Sequence, residues 1–298
     1  MNTTTFVTHS GRPLPQLWIG LALVGVCWPL NWLLPGLRTH LLFFPLWLGY
    51  ALTVDGLVYQ RTGTSLLARS WRAYAGLFVI SAPAWWLFEL INVRTQNWEY
   101  VGRGHFTDLE YSLLATLSFS TVMPAVFGTA ELASSMRIIR VLPRGLVIEP
   151  TRTKTLLMFM SGVAMLVLML AWPQLFFPVI WLSVFLIVEP INIWRGYRPL
   201  TASLQTGDWR PIVSLWLGAL TCGFFWEFWN FFAFPQWIYH VPWVDFLRVF
   251  EMPILGYGGY LPFGMELFAL YQLVIGVFGV NRGDFVHLDP GADDHAFD

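Results

Sequence analysis

Residues 224–239 read FFWEFWNFFAFPQWIY, an aromatic run that contains a single carboxylate, Glu227, and a single asparagine, Asn230. An earlier stretch, residues 85–100, reads WWLFELINVRTQNWEY and has the same pattern beginning at Glu89. In both stretches E-x-x-N is followed by W-x-Y. Because an ionisable residue occurs among aromatic rings twice, in the same pattern, the sequence predicts a duplicated structural unit and a duplicated site.

The composition is that of a membrane protein. The chain has 298 residues, of which 56% are hydrophobic, 17% aromatic and 12% charged, whereas soluble domains carry about 25% charged residues. Several apolar stretches approach the roughly 20 residues that cross a hydrocarbon core as a helix. The net charge of -1 and the lack of a Lys/Arg block give no indication of nucleic-acid binding.

Apolar runs between charged or Pro/Gly-rich breaks predict eight transmembrane helices in an all-α, polytopic integral membrane protein. The junction between the fifth and sixth spans is tight, and the GYGGYLPFG sequence should bend or break the eighth. The predicted spans are 17–35, 41–59, 73–93, 109–134, 155–172, 175–194, 210–232 and 248–278.

Positive charge predicts the orientation of these spans. Of the 17 Lys and Arg residues, Arg38, Arg94, Arg103 and Arg248 fall on one side, and the other 13 fall on the side of the two termini. Because cytoplasmic loops are enriched in Lys and Arg, both termini are expected in the cytoplasm. The expected location is a prokaryotic cytoplasmic membrane.

The repeat extends beyond the aromatic motif. LFFPLWLGYALTVD (42–55) matches LFFPVIWLSVFLIVE (175–189), and corresponding residues stay about 134 to 141 positions apart. Four spans in each unit imply two units in parallel orientation, related by an axis along the membrane normal. The predicted domains are a first transmembrane repeat (1–135), a basic cytoplasmic linker (136–154), a second repeat (155–280) and an acidic, disordered tail (281–298).

Each repeat is predicted to form a pocket near the outer leaflet. The glutamate and asparagine lie three residues apart on one helix face, and a further glutamate begins the next helix across a short W-x-Y hairpin. The candidate catalytic residues are Glu227, Asn230, Glu251, Glu89, Asn92 and Glu110. The candidate substrate-lining residues are Trp226, Trp229, Trp237, Tyr239, Trp85, Trp86, Trp98 and Tyr100, with Glu266 and Glu131 deeper in the spans.

Carboxylates inside a span cost a few kcal/mol and usually serve a purpose. A glutamate among aromatic rings, with few cations nearby, can remain protonated and donate a proton, or two glutamates can share one. The structural alternative is that Trp and Tyr form interfacial belts and that the Glu-Asn pairs join helices. His105 and His240 lie near Glu110 and Glu251 without a metal-binding spacing, so no metal or other cofactor is predicted.

The duplicated order resembles the membrane lycopene cyclases of the heterodimeric or fused type. In that family a Trp-Asp helix leads through a Trp-x-Phe hairpin to a Pro-Leu-Glu-Glu helix. Here Trp226-Glu227, Trp237-x-Tyr239 and Phe250-Glu251-Met252-Pro253 correspond, as do Phe88-Glu89, Trp98-x-Tyr100 and Leu109-Glu110 in the first half. Single glutamates replace the Glu-Glu doublet. The resemblance implies tandem helical domains and an isoprenoid cyclase activity.

Three functions are compatible with these patterns. The first is an integral-membrane enzyme that acts on an isoprenoid, carotenoid or other lipid by cyclase-like or isomerase-like acid-base chemistry, with aromatic rings stabilising a carbocation. The second is a proton- or cation-coupled transporter built on the two repeats. The third is a non-catalytic scaffold that binds a pigment or lipid. All three require the bilayer and a hydrophobic small molecule as partners.

Overall fold

The fold is a bundle of long apolar helices. The computed structural model describes residues 14–34, 36, 39–280 and 285–288. Within these residues, eight helical segments are long and apolar enough to cross a membrane, which agrees with the predicted all-α polytopic membrane fold. The segments are Pro15–Leu33, Thr39–Thr62, Trp71–Thr95, Asp108–Ser134, Arg152–Ala171, Pro173–Arg195, Arg210–Asn230 and Ile254–Val277.

The first half of the chain supplies four of these segments, and the fourth is interrupted. Its two helices meet at Ser120 and Thr121, where the helical hydrogen bonds are replaced by a turn. The elements are α1 Pro15–Leu33, α2 Thr39–Thr62, α3 Leu66–Arg69, α4 Trp71–Thr95, β1 Trp98–Val101, a 3₁₀ turn Arg103–His105, α5 Asp108–Phe119, α6 Val122–Ser134 and α7 Arg137–Arg140.

The second half differs from the prediction at its last span. Residues 248–259 form a small hairpin and a 3₁₀ segment, because the glycine-rich sequence before Tyr260 does not sustain an α-helix. The elements are α8 Arg152–Ala171, α9 Pro173–Phe176, 3₁₀ Phe177–Val179, α10 Ile180–Arg195, 3₁₀ Leu200–Thr206, α11 Arg210–Asn230, β2 Gln236–Tyr239, β3 Arg248–Val249, β4 Met252–Pro253, 3₁₀ Ile254–Gly259 and α12 Tyr260–Val277.

Helix α11 lies between α6 and α12, and glycines allow the close approach. A Cβ on Gly218 would lie 2.8 Å from the backbone nitrogen of Ala130 in α6. A Cβ on Gly264 of α12 would lie 2.7 Å from the carbonyl oxygen of Leu215 in α11. Small residues at helix interfaces are the usual means of tight packing in membranes. The two halves of the chain therefore share one packed core.

The two ends of the bundle differ. At one end, here called the hairpin end, α4 leads into β1 and α11 leads into β2. The start of α2 is tied to the same end, because Thr39 and Phe234 exchange hydrogen bonds of 2.9 and 2.7 Å. The opposite end, here called the basic end, contains residues 61–72, 136–154 and 195–210 and carries most of the described arginines.

The basic end includes a short C-terminal segment that folds back onto the first half. Phe285, Val286 and Leu288 are buried there, and the His287 backbone N–H donates to Glu131 at 2.7 Å. Arg69 forms an ion pair with the same carboxylate. Residues 285–288 thus differ from the disordered tail that the sequence predicts, whereas 281–284 and 289–298 lie outside the described residues.

Candidate functional site

The W-x-Y motifs of the two halves pair with each other. Strands β1 and β2 are antiparallel, with Trp98 opposite Tyr239 and Tyr100 opposite Trp237. Side chains alternate between the faces of a strand, and directly paired residues share a face. The four aromatic side chains therefore lie on one face of the two-stranded ribbon, which we call the aromatic ribbon. This pairing was not predicted, because only the structure shows that the two hairpins meet.

The asparagine of each motif fixes the start of its hairpin. Asn92 donates to the carbonyl of Trp98 at 2.8 Å and accepts from the backbone N–H groups of Asn97 at 2.8 Å and Trp98 at 3.3 Å. Asn230 donates to the carbonyl of Trp237 at 2.7 Å and accepts from its N–H at 2.9 Å. Neither asparagine side chain orients a glutamate, so both act as positioning residues for the aromatic ribbon.

Glu89 anchors the first half of the ribbon. One carboxylate oxygen, Oε1, accepts three hydrogen bonds, from the indoles of Trp85 at 2.9 Å and Trp98 at 3.1 Å and from the hydroxyl of Tyr100 at 2.6 Å. Burial raises the pKa of Tyr100, so this hydroxyl stays protonated and donates. Three donors on one oxygen suit a carboxylate that holds neighbouring side chains in place.

Glu227 has a different environment from its counterpart. Its carboxyl is fully buried, and Oε1 accepts hydrogen bonds from Tyr239 at 2.7 Å and Tyr260 at 2.9 Å. Trp237 in turn donates to the Tyr239 hydroxyl at 2.9 Å. Oε2 has no hydrogen-bond partner among the described residues. A buried carboxyl with one unsatisfied oxygen is costly for folding alone, so it is a candidate functional group.

A cavity of about 180 Å³ lies against the aromatic ribbon, and Glu227 is part of its wall. Residues from both halves of the chain contribute, so the two predicted pockets are one shared space among the described residues. The described aromatic residues that line it are Phe43, Trp85, Trp98, Tyr100, Phe106, Tyr111, Phe119, Trp181, Trp226, Trp237, Tyr239, Tyr260 and Phe263. The aromatic walls and the single carboxyl group make the cavity suitable for an apolar ligand that acquires positive charge.

Two of the candidate catalytic residues form no hydrogen bond or ion pair with Glu227 among the described residues. Glu110 is exposed and forms a capping box at the start of α5, where it accepts from the N–H and hydroxyl of Thr107 at 2.9 and 2.8 Å. Glu251 lies in the turn between β3 and β4, not at a helix start, and it contacts Arg248 at 3.5 Å and Gln236 at 3.3 Å. The expectation that each glutamate begins the next span is therefore wrong for Glu251, whereas Glu110 lies at the start of its span as expected but is exposed and outside the cavity wall.

Four other predicted lining residues lie outside the cavity wall. The Trp86 indole donates to Thr116 at 2.9 Å, and Trp229 is buried against Trp47, with ring centroids 5.0 Å apart. Glu131 is occupied by the Arg69 ion pair. Glu266 is fully buried in α12, and neither carboxyl oxygen has a hydrogen-bond partner among the described residues.

Two carboxylates in the halves of α2 and α10 nearer the basic end position the turns that follow these helices. Asp55 accepts hydrogen bonds of 2.9 Å from the Ser65 hydroxyl and the Leu67 N–H. Glu189 accepts from the N–H and hydroxyl of Thr201 at 2.7 and 2.8 Å. The two residues occupy matching places in the two halves. Their contacts repeat, as the contacts of Asn92 and Asn230 do.

The two histidines that follow β1 and β2, His105 and His240, lie near the ribbon. His240 contacts the carboxylate of Glu99 at 3.0 Å on the exposed side, and the His105 ring packs on Phe234 with centroids 5.8 Å apart. Neither histidine contacts Glu110 or Glu251 among the hydrogen bonds and ion pairs of the described residues.

Several cavity residues were missed by the sequence interpretation. Trp181 stacks on Trp98 with centroids 6.3 Å apart, and the duplicated LFFP segment that contains it was the available signal. Tyr260 donates to Glu227 from the start of α12, inside a glycine-rich stretch that was interpreted only as a bend. Arg103 and His40 also line the cavity.

Comparisons with protein-family models, with curated proteins and with solved structures found no match.

Proposed function

We propose that the chain is an integral-membrane enzyme that performs acid-base chemistry on an unsaturated, isoprenoid- or carotenoid-like lipid, with Glu227 as the proton donor and acceptor. The observation that carries this proposal is a fully buried glutamate in the wall of an aromatic cavity whose Oε2 has no hydrogen-bond partner within the described part of the chain. A carboxyl in an apolar, water-poor site can stay neutral until it reacts. It can then supply the proton that an isolated alkene requires.

The proposed step is protonation of a carbon–carbon double bond. The proton on Oε2 is transferred to one alkene carbon, the π electrons form the new C–H bond, and the other carbon becomes a carbocation. The carboxylate left behind is stabilised by the hydroxyls of Tyr239 and Tyr260, which already donate to Oε1. Loss of a neighbouring proton to Oε2, directly or after ring closure, restores the acid and gives an isomerised or cyclised product.

The walls of the cavity suit the charged intermediate. Trp226 stacks on Tyr260 with ring centroids 6.0 Å apart and planes inclined by 30°, and the ring centroids of Trp181 and Phe263 are 5.1 Å apart. Aromatic faces attract a cation without reacting with it as water would. This arrangement is the reason for preferring a carbocation reaction over hydrolysis or group transfer.

The size of the cavity limits which part of a substrate it holds. An apolar cavity of roughly 150 Å³ accommodates a benzene-sized molecule, and this cavity is about 180 Å³. It therefore fits one ring, or an equally short branched segment, of a longer lipid. The remainder of such a lipid would extend from the cavity along the helices.

The placement in the membrane belongs to the same proposal. The hairpin end carries Arg94, Arg103 and Arg248, whereas the other described arginines and the one lysine lie toward the basic end. By the positive-inside rule, we place the basic end and both termini in the cytoplasm of a prokaryotic cell, with the cavity near the outer leaflet. The repeated contacts support two parallel repeats and the architectural resemblance to membrane lycopene cyclases.

The test is product analysis in hosts that supply candidate lipids. The chain and its Glu227→Gln variant would be expressed in lycopene-producing and polyprenol-producing bacteria, and extracted lipids compared by mass spectrometry with an empty-vector control. A new isomer or cyclised product that depends on Glu227 supports the enzyme. A lipid that co-purifies unchanged with both proteins supports the binding scaffold instead.

One observation favours a transporter as the second candidate. Glu266 lies within α12, is fully buried, and has no hydrogen-bond partner among the described residues. Buried carboxyls in spans often carry protons in coupled transport. Proton-dependent flux into proteoliposomes that is abolished by Glu266→Gln and retained by Glu227→Gln would favour transport over the proposed enzyme.

A further inference from the structure

We infer that the lipid bound in the cavity carries an oxyanion head group, a phosphate or carboxylate, which is held by Arg103 and His40. This inference rests on the proposed function for the location of its apolar part, and it narrows the substrate class. A neutral hydrocarbon would use only the aromatic walls. An amphipathic, anionic isoprenoid lipid would use the aromatic walls and the basic groups together.

The cavity wall carries acidic and basic groups as well as aromatic rings. Among its described lining residues, Glu227 is the one acidic side chain, whereas Arg103 and His40 are the basic ones. Arg103 follows β1 in the 3₁₀ turn, and His40 lies in the first turn of α2. Both belong to the hairpin end, where the lipid head groups of a bilayer would lie. A ligand with an apolar body and an anionic end therefore matches the wall better than an apolar ligand alone.

The Arg103 guanidinium is held in position, and a ligand oxyanion can replace its ion-pair partner. It lies over the ring of Tyr111, 4.2 Å from the centroid, which fixes it without using its donors. Its ion-pair partner Asp108 has a side chain that is 96% exposed. An exposed pair of this kind contributes little, so a phosphate or carboxylate can replace Asp108. Guanidinium groups suit such replacement because they bind oxyanions through two parallel hydrogen bonds.

His40 adds a second donor. Its Nδ1 is buried and has no hydrogen-bond partner among the described residues, and its ring packs edge-on against Phe106 with centroids 5.5 Å apart. An imidazole nitrogen that carries its proton donates to an oxyanion. An unpaired buried ring nitrogen in a cavity wall is therefore a position where a ligand atom would complete the bonding.

The test compares lipids that differ only in the head group. Binding of farnesyl monophosphate and farnesol to the purified full chain in detergent would be followed by quenching of tryptophan fluorescence. We expect tighter binding of the phosphate, and we expect Arg103→Gln to weaken it by about tenfold while changing farnesol binding little. Asp108→Asn, which removes the competing carboxylate, should strengthen phosphate binding. Arg94→Gln is the matched control, because Arg94 lies at the same end but outside the cavity wall.

Each outcome decides between specific alternatives. Equal affinity for the two lipids, failure to bind either, or an equal loss in Arg94→Gln would overturn the head-group site. Competition by millimolar inorganic phosphate would show that free phosphate, not a lipid head group, occupies the Arg103 end. The Glu227→Gln variant separates this inference from the proposed function. We expect the phosphate preference to persist in this variant although its turnover is lost, whereas a wild-type chain that prefers the phosphate but forms no product would support the head-group site and count against the enzyme.

Discussion

The Tyr239 hydroxyl donates a 2.7 Å hydrogen bond to Oε1 of Glu227, whereas Oε2 of that buried carboxyl has no partner among the residues that the structure describes. The bond joins the aromatic ribbon to the helix that carries the candidate acid. Burial raises the pKa of Tyr239, so the tyrosine keeps its proton at ordinary pH and acts as a donor. The ribbon therefore determines which carboxyl oxygen of Glu227 is hydrogen-bonded.

The first prediction concerns the two tyrosines on Glu227. Replacing Tyr260 with Phe removes one donor from Oε1 while keeping the ring, so the carboxylate formed in the reaction is less well stabilised. A hydrogen bond to a charged group contributes about 1.5–3 kcal/mol, and we expect turnover to fall by roughly ten- to a hundredfold. Tyr257→Phe is the control, because the Tyr257 hydroxyl donates to the Val249 carbonyl. Equal effects of both variants would contradict the assignment.

The second prediction concerns the glycine beneath Tyr260. A Cβ on Gly223 would lie 2.4 Å from the Tyr260 ring, so Gly223→Ala should displace this tyrosine from Glu227 and reduce turnover. In α4, a Cβ on Gly76 meets nothing within 4 Å. Gly76→Ala should therefore leave activity intact and raise helix stability by up to about 1 kcal/mol. Activity and thermal unfolding of both variants in detergent measure the difference, and an active Gly223→Ala chain would argue against a role for Tyr260.

The third prediction concerns the asparagine at the start of the second hairpin. Asn230→Asp keeps an acceptor for the Trp237 N–H but loses the donor to the Trp237 carbonyl. It also places two oxygens against each other in a buried site. We expect a loss of about 1–3 kcal/mol in unfolding free energy, with reduced ligand binding because the ribbon shifts. Thermal unfolding and lipid binding test this, and unchanged values for both would show that the ribbon does not depend on Asn230.

The fourth prediction concerns the buried ion pair at the basic end. Glu131→Gln leaves the Arg69 guanidinium without its carboxylate, and breaking a buried pair in this way costs about 3–5 kcal/mol. The double variant Arg69→Met with Glu131→Met should recover part of that loss. Glu149→Gln, at an exposed position, is the control and should change the unfolding temperature little. A Glu131→Gln chain as stable as the control would contradict the packing of residues 285–288 on this pair.

The fifth prediction concerns orientation. The native cysteines, Cys27 and Cys222, are buried, so single cysteines introduced at exposed positions can be labelled selectively. In whole cells, an impermeant maleimide should label Glu99→Cys at the hairpin end and should not label Arg144→Cys at the basic end until the cells are opened. The reverse pattern would place the cavity on the cytoplasmic side.

Much of the fold followed from hydropathy. Eight apolar segments were predicted, and eight are found among the described residues, because a helix long enough to cross a bilayer leaves a strong local signal. The exception was the start of the eighth segment, where glycines and short-range pairing replace the helix. Its boundary was missed because Arg248 pairs with Pro253, and Val249 with Met252, in a small hairpin, and the sequence does not show that pairing.

The site was predicted less completely. Glu227, Glu89 and the four W-x-Y aromatics were found from the duplication, and the structure brings them together. Glu251 was misplaced because it was assigned to a helix. The antiparallel pairing of Trp98 with Tyr239 and the donation from Tyr260 depend on contacts between distant parts of the chain. The difference between Glu89 and Glu227 likewise arises from tertiary contacts, since their local sequences are nearly the same.

The most direct measurement of the central claim compares Glu227→Gln with Glu89→Gln in the same lipid-producing host. At position 227 the amide oxygen can still accept from both tyrosines, but the amide nitrogen cannot deliver a proton to an alkene. At position 89 the amide oxygen can still accept its three hydrogen bonds and hold the ribbon. We predict that product formation falls by about 10²- to 10⁴-fold in Glu227→Gln and stays near the wild-type level in Glu89→Gln. A Glu227→Gln chain that forms product as fast as Glu89→Gln would contradict the claim that Glu227 is the acid.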